Sequence, residues 1–477
     1  MSDDDAGRTS IILFGIHLAA RVVGFLGLVY FTKILPPEQL DVYFLFFVIV
    51  QVASLVSSLG LGQALVRRIS ERDRQGGIFT AALVVVLTVG AVAAGLFHLF
   101  RDPLAGYIGA DVPLVLSLGT ASWLLADIHL RTIQGEDRVL SAGFLQITQD
   151  SVRVGVGAAL ITLGWGPVGL MVGVIAGFGS TVLGGQLLTD VSFAVPRRSD
   201  FSRLFSISKY TMFFGPTNFI YFWLDTAMIG LLLLPGSVSP YEVAWQTSRV
   251  LIIATNAINQ TIFPKVSAWA NEGELGEIER VLPGAIIFTL IFPLPGLVGV
   301  AVLGEELLSV VYRPSYAVAA IPMVVLAAYM VVEGLQRVVN SVLTGMDRAD
   351  IPFRARLVGV TLAVVLNVVL IPEYGLLGAA TATFTAKFVD TTLQWRGLWR
   401  LLDVRVPGAA LGWELLSALG MGGVVYAVTT VVSPSSPVHL FGFIAMGVGT
   451  YGLLVILDDD IRQVVEKYSP VGVPLLG

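Results

Sequence analysis

Fourteen apolar runs of about 20 to 25 residues, parted by short clusters of glycine, proline and charge, are what most constrains the fold of this chain. A run of that length crosses the ~30 Å hydrocarbon layer as a helix, the form that satisfies its own backbone hydrogen bonds in lipid. The first seven lie near Ser10 to Leu35, Leu40 to Val66, Ile78 to Phe100, Val112 to Ile133, Val139 to Leu163, Val168 to Thr189 and Tyr210 to Leu234. The second seven lie near Tyr241 to Phe263, Val281 to Leu303, Ala317 to Leu343, Ile351 to Ile371, Gly375 to Trp399, Ala409 to Val432 and Leu440 to Leu457. With 55% hydrophobic and 13% charged residues over 477 positions, the chain reads as an all-α polytopic membrane protein. No loop is long enough for a soluble domain.

The first run is too long for the apolar core of a signal peptide, and its leader "MSDDDAG" is acidic, so it is expected to stay as helix one. Nineteen Lys and Arg residues fall in the two tails and alternate loops, against Arg101, Arg313 and Lys33 in the others. That asymmetry predicts cytoplasmic N- and C-termini in the cytoplasmic membrane. The chain has no cysteine, and its four scattered histidines have no metal-binding spacing, so no metal is expected. "GLGQAL" and "GFGSTV" lack the third glycine of a dinucleotide loop, and no Walker A pattern occurs. The sequon at Asn259 lies near a cytoplasmic helix end and is not expected to carry glycan.

Three pairs of segments repeat in order. "IQGEDR" after helix four matches "LTGMDR" after helix ten at an offset of 210 residues. "GPVGLMVGVIAG" matches "PEYGLLGAATAT", pairing Gly169 with Gly375 at 206, and "LPPEQLDVY" matches "LPGSVSPY" at 198. Each pair joins helix n to helix n+6, which predicts two parallel six-helix lobes, residues 1–200 and 201–405, followed by two extra helices in 406–477.

Charges deep in these runs are the candidate functional groups. Arg21 is about twelve residues from either end of its run, or roughly 18 Å, beyond the reach of a snorkelling side chain. Placing it there costs about 2.5 to 3.5 kcal/mol, so it needs an anion, an acid or water opposite. Arg153 is equally deep, with Asp150 three residues before it as a local partner or a phosphate as a foreign one. Arg249, in helix eight, is close to the level of Asp225 in helix seven and pairs either with it or with substrate. All three are arginines, whose planar fork binds phosphate oxygens without losing charge. Asp127 with Arg131, Glu333 with Arg337, and Lys387 with Asp390 read as ion pairs along single helices. Gly215-Pro216 in helix seven and Pro293 with Pro295 in helix nine are candidate hinges, because proline removes a backbone bond.

"LPPEQLDVYFLFFVIVQVASLVSSLGLGQALVRRIS", "WLDTAMIGLLLLPGSVSPYEVAWQTSRVL" and "LNVVLIPEYGLLGAATAT" resemble the polysaccharide-lipid flippases, Wzx-like, of the MOP superfamily, which also holds MATE exporters and MurJ-like flippases. The resemblance spans helices one to twelve. It implies two six-helix lobes around a cavity, moving a polyprenyl-linked saccharide by alternating access, with a variable terminal helix pair. It also implies coupling to Na+ or H+ in the second lobe, at positions matching Asp225, Asn367 and Thr383. Where some relatives carry a carboxylate one turn after the Asn, this chain has Ile371. No other cofactor is implied. The partners are a lipid-linked oligosaccharide and membrane lipids, not nucleic acid, and the chain is expected to act as a monomer. A MATE-type cation exporter shares the architecture but favours carboxylates in its cavity. A glycan polymerase or ligase would need a long outer loop, which this chain lacks.

Overall fold

A computed structural model describes residues 3–57, 61–211, 214–252 and 265–468. The described residues are helical and contain no strand. Eight helical stretches among them are long and apolar enough to cross a membrane, fewer than the fourteen runs read from the sequence. Part of the difference is one stretch that serves as two. Asp350–Leu398 is 49 residues long, or about 74 Å, more than twice the bilayer core. Gly375, at φ 57° and ψ −131°, divides it into 350–374 and 376–398. That backbone conformation is open to glycine and strained for other residues.

Packing divides the chain into two compact units, Met1–Ser239 and Pro240–Gly477. The first holds α1 (Asp3–Ile34), α2 (Pro37–Ser57), α3 (Leu61–Ser70), α4 (Gln75–Leu99), α5 (Arg101–Ile108), α6 (Pro113–Gly135), α7 (Val139–Thr162), α8 (Gly166–Leu188), α9 (Arg198–Thr211) and α10 (Phe214–Leu232). The helix α11 (Val238–Ser248) leads into the second unit, which continues with α12 (265–272), α13 (Leu275–Leu290), α14 (Pro293–Glu306), α15 (Ala320–Gly345), α16 (Asp350–Leu398), α17 (Gly408–Thr429), α18 (Pro437–Val455) and α19 (Asp459–Tyr468).

The two units repeat the same local devices. α6 and α15 both end in a glycine pressed against a short amphipathic helix, Gly135 against Val66 and Ile69 of α3, and Gly345 against Val266 and Ser267 of α12. Two residues later an aspartate takes the left-handed conformation, Asp137 at φ 61° and Asp347 at φ 57°. The next amide then reaches back five residues, Arg138 N to the Ile133 carbonyl at 3.1 Å and Arg348 N to the Leu343 carbonyl at 2.8 Å. This is a helix-ending turn that the Gly-x-Asp-Arg pattern encodes. The later repeat needs a correction of register. Gly166 and Gly375 share the left-handed φ, while Gly169 packs on the Leu160–Ile161 backbone as Gly378 packs on Leu370–Ile371. The offset is therefore 209, not 206, because glycines recur so densely here that letters alone align them one turn out.

Other boundaries differ from the sequence reading for local reasons. Helix nine breaks at Ile291–Phe292 into α13 and α14. Pro293 and Pro295 consequently sit in the first turn of a new helix, where a missing N–H costs no hydrogen bond, rather than interrupting one. Gly215 and Pro216 belong to α10, while residues 212 and 213, like Asn259, lie outside the described residues.

On the face carrying the basic loops, α9 is fastened to the α3–α4 turn. Arg203 meets Asp73 at 2.6 Å and Glu71 at 3.1 Å, and Arg68 donates to the Arg203 carbonyl at 3.2 Å. Arg74 forks onto buried Asp200 at 3.0 and 2.8 Å, and the Arg197 amide donates to the same carboxylate at 2.8 Å. The Arg74 hydrogen bonds hold the Asp200 carboxyl below its ordinary range. A carboxyl depressed in the folded state stabilises fully above its unfolded pKa of about 4 and ceases to as pH falls through the folded value. The thermal midpoint of the purified protein should thus drop more steeply below about pH 4 in the wild type than in Asp200→Asn. Parallel curves would show that the pair adds nothing.

Candidate functional site

The seam between α1, α7 and α8 in the first unit is built on glycine. Gly173 and Gly177, one turn apart on α8, lie against the α7 backbone. A Cβ on Gly173 would come within 2.6 Å of the Arg153 carbonyl, and one on Gly177 within 2.8 Å of the Gln149 carbonyl. Small residues at this spacing let membrane helices approach closely. On the other side of α7, Gly27 of α1 meets Val154, and Gly24 faces the Arg153 guanidinium, with Nη2 3.9 Å from where its Cβ would stand.

This packing aims Arg153 at α1, one turn from Arg21. Residues three apart share a helix face with Cβ atoms about 5 to 6 Å apart, so Arg153 packs against the face of α1 that carries Arg21. Their states differ. Arg153 is half-buried and pairs with Asp150 at 2.9 Å, the local partner the sequence offered. Its Nε is buried without a partner among the described residues. Arg21 is exposed, and among the described residues no acid pairs with it. Asp41, the nearest acid on the next helix, is committed elsewhere. It accepts the backbone N–H groups of Gly236, Val238 and Ser239 at 2.6, 3.2 and 2.7 Å. Two guanidinium groups with one carboxylate leave this seam with surplus positive charge and free donors.

The other sequence candidates are placed as follows. Asp225 is buried in α10 of the first unit, and Arg249 opens the 3-10 turn Arg249–Ile252 in the second, half-buried; both are engaged within the protein. Asn367 and Thr383 are buried on the two arms of α16. Gly378 packs on Ile371, and counting four residues from that contact in each direction puts Asn367 level with residue 382. Asn367 Nδ2 donates to the Ala363 carbonyl at 2.9 Å, and Ile371 is fully buried.

The second unit also holds a polar cluster that sequence reasoning resolved only in part. Asp127–Arg131 and Glu333–Arg337 form as expected, at 3.2 and 2.8 Å. Lys387 pairs with an acid of the neighbouring helix. Its ammonium reaches across to Glu333 at 2.5 Å and to Gln336 Oε1 at 2.9 Å, and it lies 5.5 Å from the centre of the Tyr329 ring. Asp390 accepts from Gln336 at 2.7 Å and Gln394 at 2.8 Å. The signal was available as two polar stripes at helical spacing, Glu333, Gln336 and Arg337 on α15, and Lys387, Asp390 and Gln394 on α16. Reading each stripe within its own helix hid the fact that they interlock.

Two helical units thus repeat the same helix-ending turns, and the first holds the arginine-bearing seam. The fold is like that of solved lipid-flippase and multidrug-transporter structures. It superposes on the lipid II flippase MurJ in an inward closed conformation with a TM-score of 0.79 at 15% identity, covering 95% of this chain and 100% of that one. An inward-facing MATE multidrug transporter gives 0.64 at 16% identity, covering 80% and 93%. Residues 31–321 match the profile of the family described as polysaccharide biosynthesis protein, and the chain belongs to that family. Two relatives from Haloferax volcanii align along almost the whole length. A probable low-salt glycan biosynthesis flippase, Agl15, is 28% identical over 97% of this chain and 98% of its own, and a probable flippase, AglR, is 27% identical over 96% and 98%.

Proposed function

We propose that this protein moves a polyprenyl-(pyro)phosphate-linked oligosaccharide across the cytoplasmic membrane by alternating access, for assembly of a surface polysaccharide or glycoprotein. The observation that carries this reading is Arg21, exposed and with no acid paired to it among the described residues, on the stretch of α1 against which Arg153 packs. A diphosphate supplies what that seam lacks, acceptor oxygens matched to two forked donors. The names of the Haloferax relatives and the family support a glycan lipid as cargo. Both termini are cytoplasmic in this scheme, by the excess of basic residues in alternate loops.

Rocking between two access states needs joints. The Ile291–Phe292 break before Pro293 and Pro295 interrupts the helical ladder, and at Gly215-Pro216 the proline lacks a backbone N–H, so these are the proposed hinges. Asn367 and Thr383, on the two arms of α16, are the second-unit residues proposed for coupling to Na+ or H+, and Asp225 of α10 is the one proposed in the first. With Ile371 in place of a further carboxylate, such a site has fewer charged ligands than a sodium ion ordinarily draws on.

Reconstituted vesicles test the cargo. Supplied with a labelled polyprenyl-diphosphate oligosaccharide and, separately, with a fluorescent organic cation, the protein should turn over the lipid-linked glycan and leave the cation gradient untouched. Cation efflux without glycan translocation would favour the MATE-type reading and overturn this one.

A further inference from the structure

The two terminal helices carry a second group of buried polar side chains, unrelated to the arginine seam. Glu414 of α17 is fully buried, and among the described residues neither carboxyl oxygen has a hydrogen-bond partner. Ser417, one turn on along the same face, is buried with its hydroxyl unpartnered, and so is Tyr451 of α18. The packing sets their level. The Trp413 indole donates to the Leu454 carbonyl at 2.9 Å, and Gly447 lies against Met421 and Val425. Between these two rungs of an antiparallel pair, Tyr451 falls level with residues 416 and 417. The surroundings are apolar, with Val298 and Val302 of α14 against Gly422, and Ile287, Ala418 and Leu440 in the same cluster.

An ionised carboxylate with no donor and no counter-charge is not stable in such a setting, whereas a neutral carboxyl is. We propose that Glu414, with Ser417 and Tyr451 beside it, is a proton-binding site of the terminal helix pair. The carboxylate takes up one proton from water, which cancels its charge and creates an O–H donor for the neighbouring hydroxyl oxygens. The titratable groups that face it are Tyr451 on α18 and Asp458 between α18 and α19. Asp458 is half-exposed and caps α19 by accepting the Ile461 amide at 3.0 Å, so it stands between Glu414 and water as the route of entry. α14 presents valines here, and α13 contributes Ile287. The proton site rests on burial and orphaned polar atoms, and it stands or falls independently of what the transporter carries.

Dicyclohexylcarbodiimide, which enters lipid and modifies protonated buried carboxyls, tests it on the full-length protein in liposomes. Modification of Glu414, located by peptide mass spectrometry, should be strong at acidic pH and decline about tenfold per pH unit above its midpoint. It should be indifferent to added Na+. Glu414→Gln should remove both the modification and one protonated-carboxyl stretching band from the infrared spectrum; should that variant fail to fold, Glu414→Asp should shift the band. Absence of modification at every pH, with the infrared band unchanged in the variant, overturns the proposal. Protection by Na+ overturns it too, by making the site one for sodium.

Discussion

Arg21→Ala is expected to cut the initial rate of lipid-linked glycan translocation by about tenfold or more without weakening the fold. The size follows from what is lost. A hydrogen bond to a charged group contributes about 1.5 to 3 kcal/mol, and each 1.4 kcal/mol is a factor of ten. The fold is spared because Arg21 is exposed and no acid is left behind when it goes; surface changes of that kind fall within about 0.5 kcal/mol. Arg21→Lys keeps the charge and loses the fork, so it should lie between wild type and alanine. Arg153→Ala should slow transport as well, but it also strands Asp150, so its thermal midpoint should fall. Rates read beside thermal midpoints in the same detergent separate the two arginines. A lowered midpoint in Arg21→Ala would show that its role is structural.

The second large effect lies in the α15–α16 cluster. Lys387→Ala leaves Glu333 buried with only Arg337, and the Gln336 carbonyl without its donor. Removing one partner of a buried ion pair costs about 3 to 5 kcal/mol, because the other charge stays behind in low dielectric. For a membrane protein of marginal stability that should appear as a large drop in unfolding midpoint and in yield. The double variant Glu333→Leu with Lys387→Met removes both charges of this pair, and it should recover part of the loss, since half-exposed Arg337 then loses its carboxylate. Glu333→Gln alone should also destabilise, since its one amide oxygen can accept from only one of the two cations that Oε1 and Oε2 of Glu333 hold, and its NH2 faces the other. If the double variant is as unstable as the single, the cluster is not acting as a charge pair.

Both predictions concern residues whose types were plain in the sequence and whose contacts were not. Arg21 could be picked out from its distance to the helix ends, because depth in a bilayer is a one-dimensional quantity that residue counting delivers. The helix-ending turns at Asp137 and Asp347 were legible for the same reason, since a Gly-x-Asp-Arg pattern specifies its own local hydrogen bonds. What counting along one helix cannot deliver is which face meets which. Lys387 has an acid three residues away on its own helix and pairs with one on α15, because helix packing buries Glu333 and Lys387 together. The glycines that bring Arg153 against α1 were similarly invisible as a device: with 51 glycines in the chain, Gly173 and Gly177 do not stand out until α8 is seen against the α7 backbone. Glu414 escaped notice because a single acid near a helix end reads as an ordinary interfacial residue. Only its complete burial, with both oxygens orphaned, marks it.

Whether the arginine seam recognises the diphosphate of the cargo can be measured directly in vesicles holding wild type or Arg21→Ala. Each is offered two lipids with the same glycan and polyprenyl chain, one joined through a diphosphate and one through a neutral linkage. Wild type should translocate the diphosphate lipid at least about tenfold faster than the neutral one, and Arg21→Ala should erase that preference by slowing the diphosphate lipid alone. Equal rates for the two lipids in wild type, or a preference that survives Arg21→Ala, would contradict the assignment of Arg21 as an anion clamp.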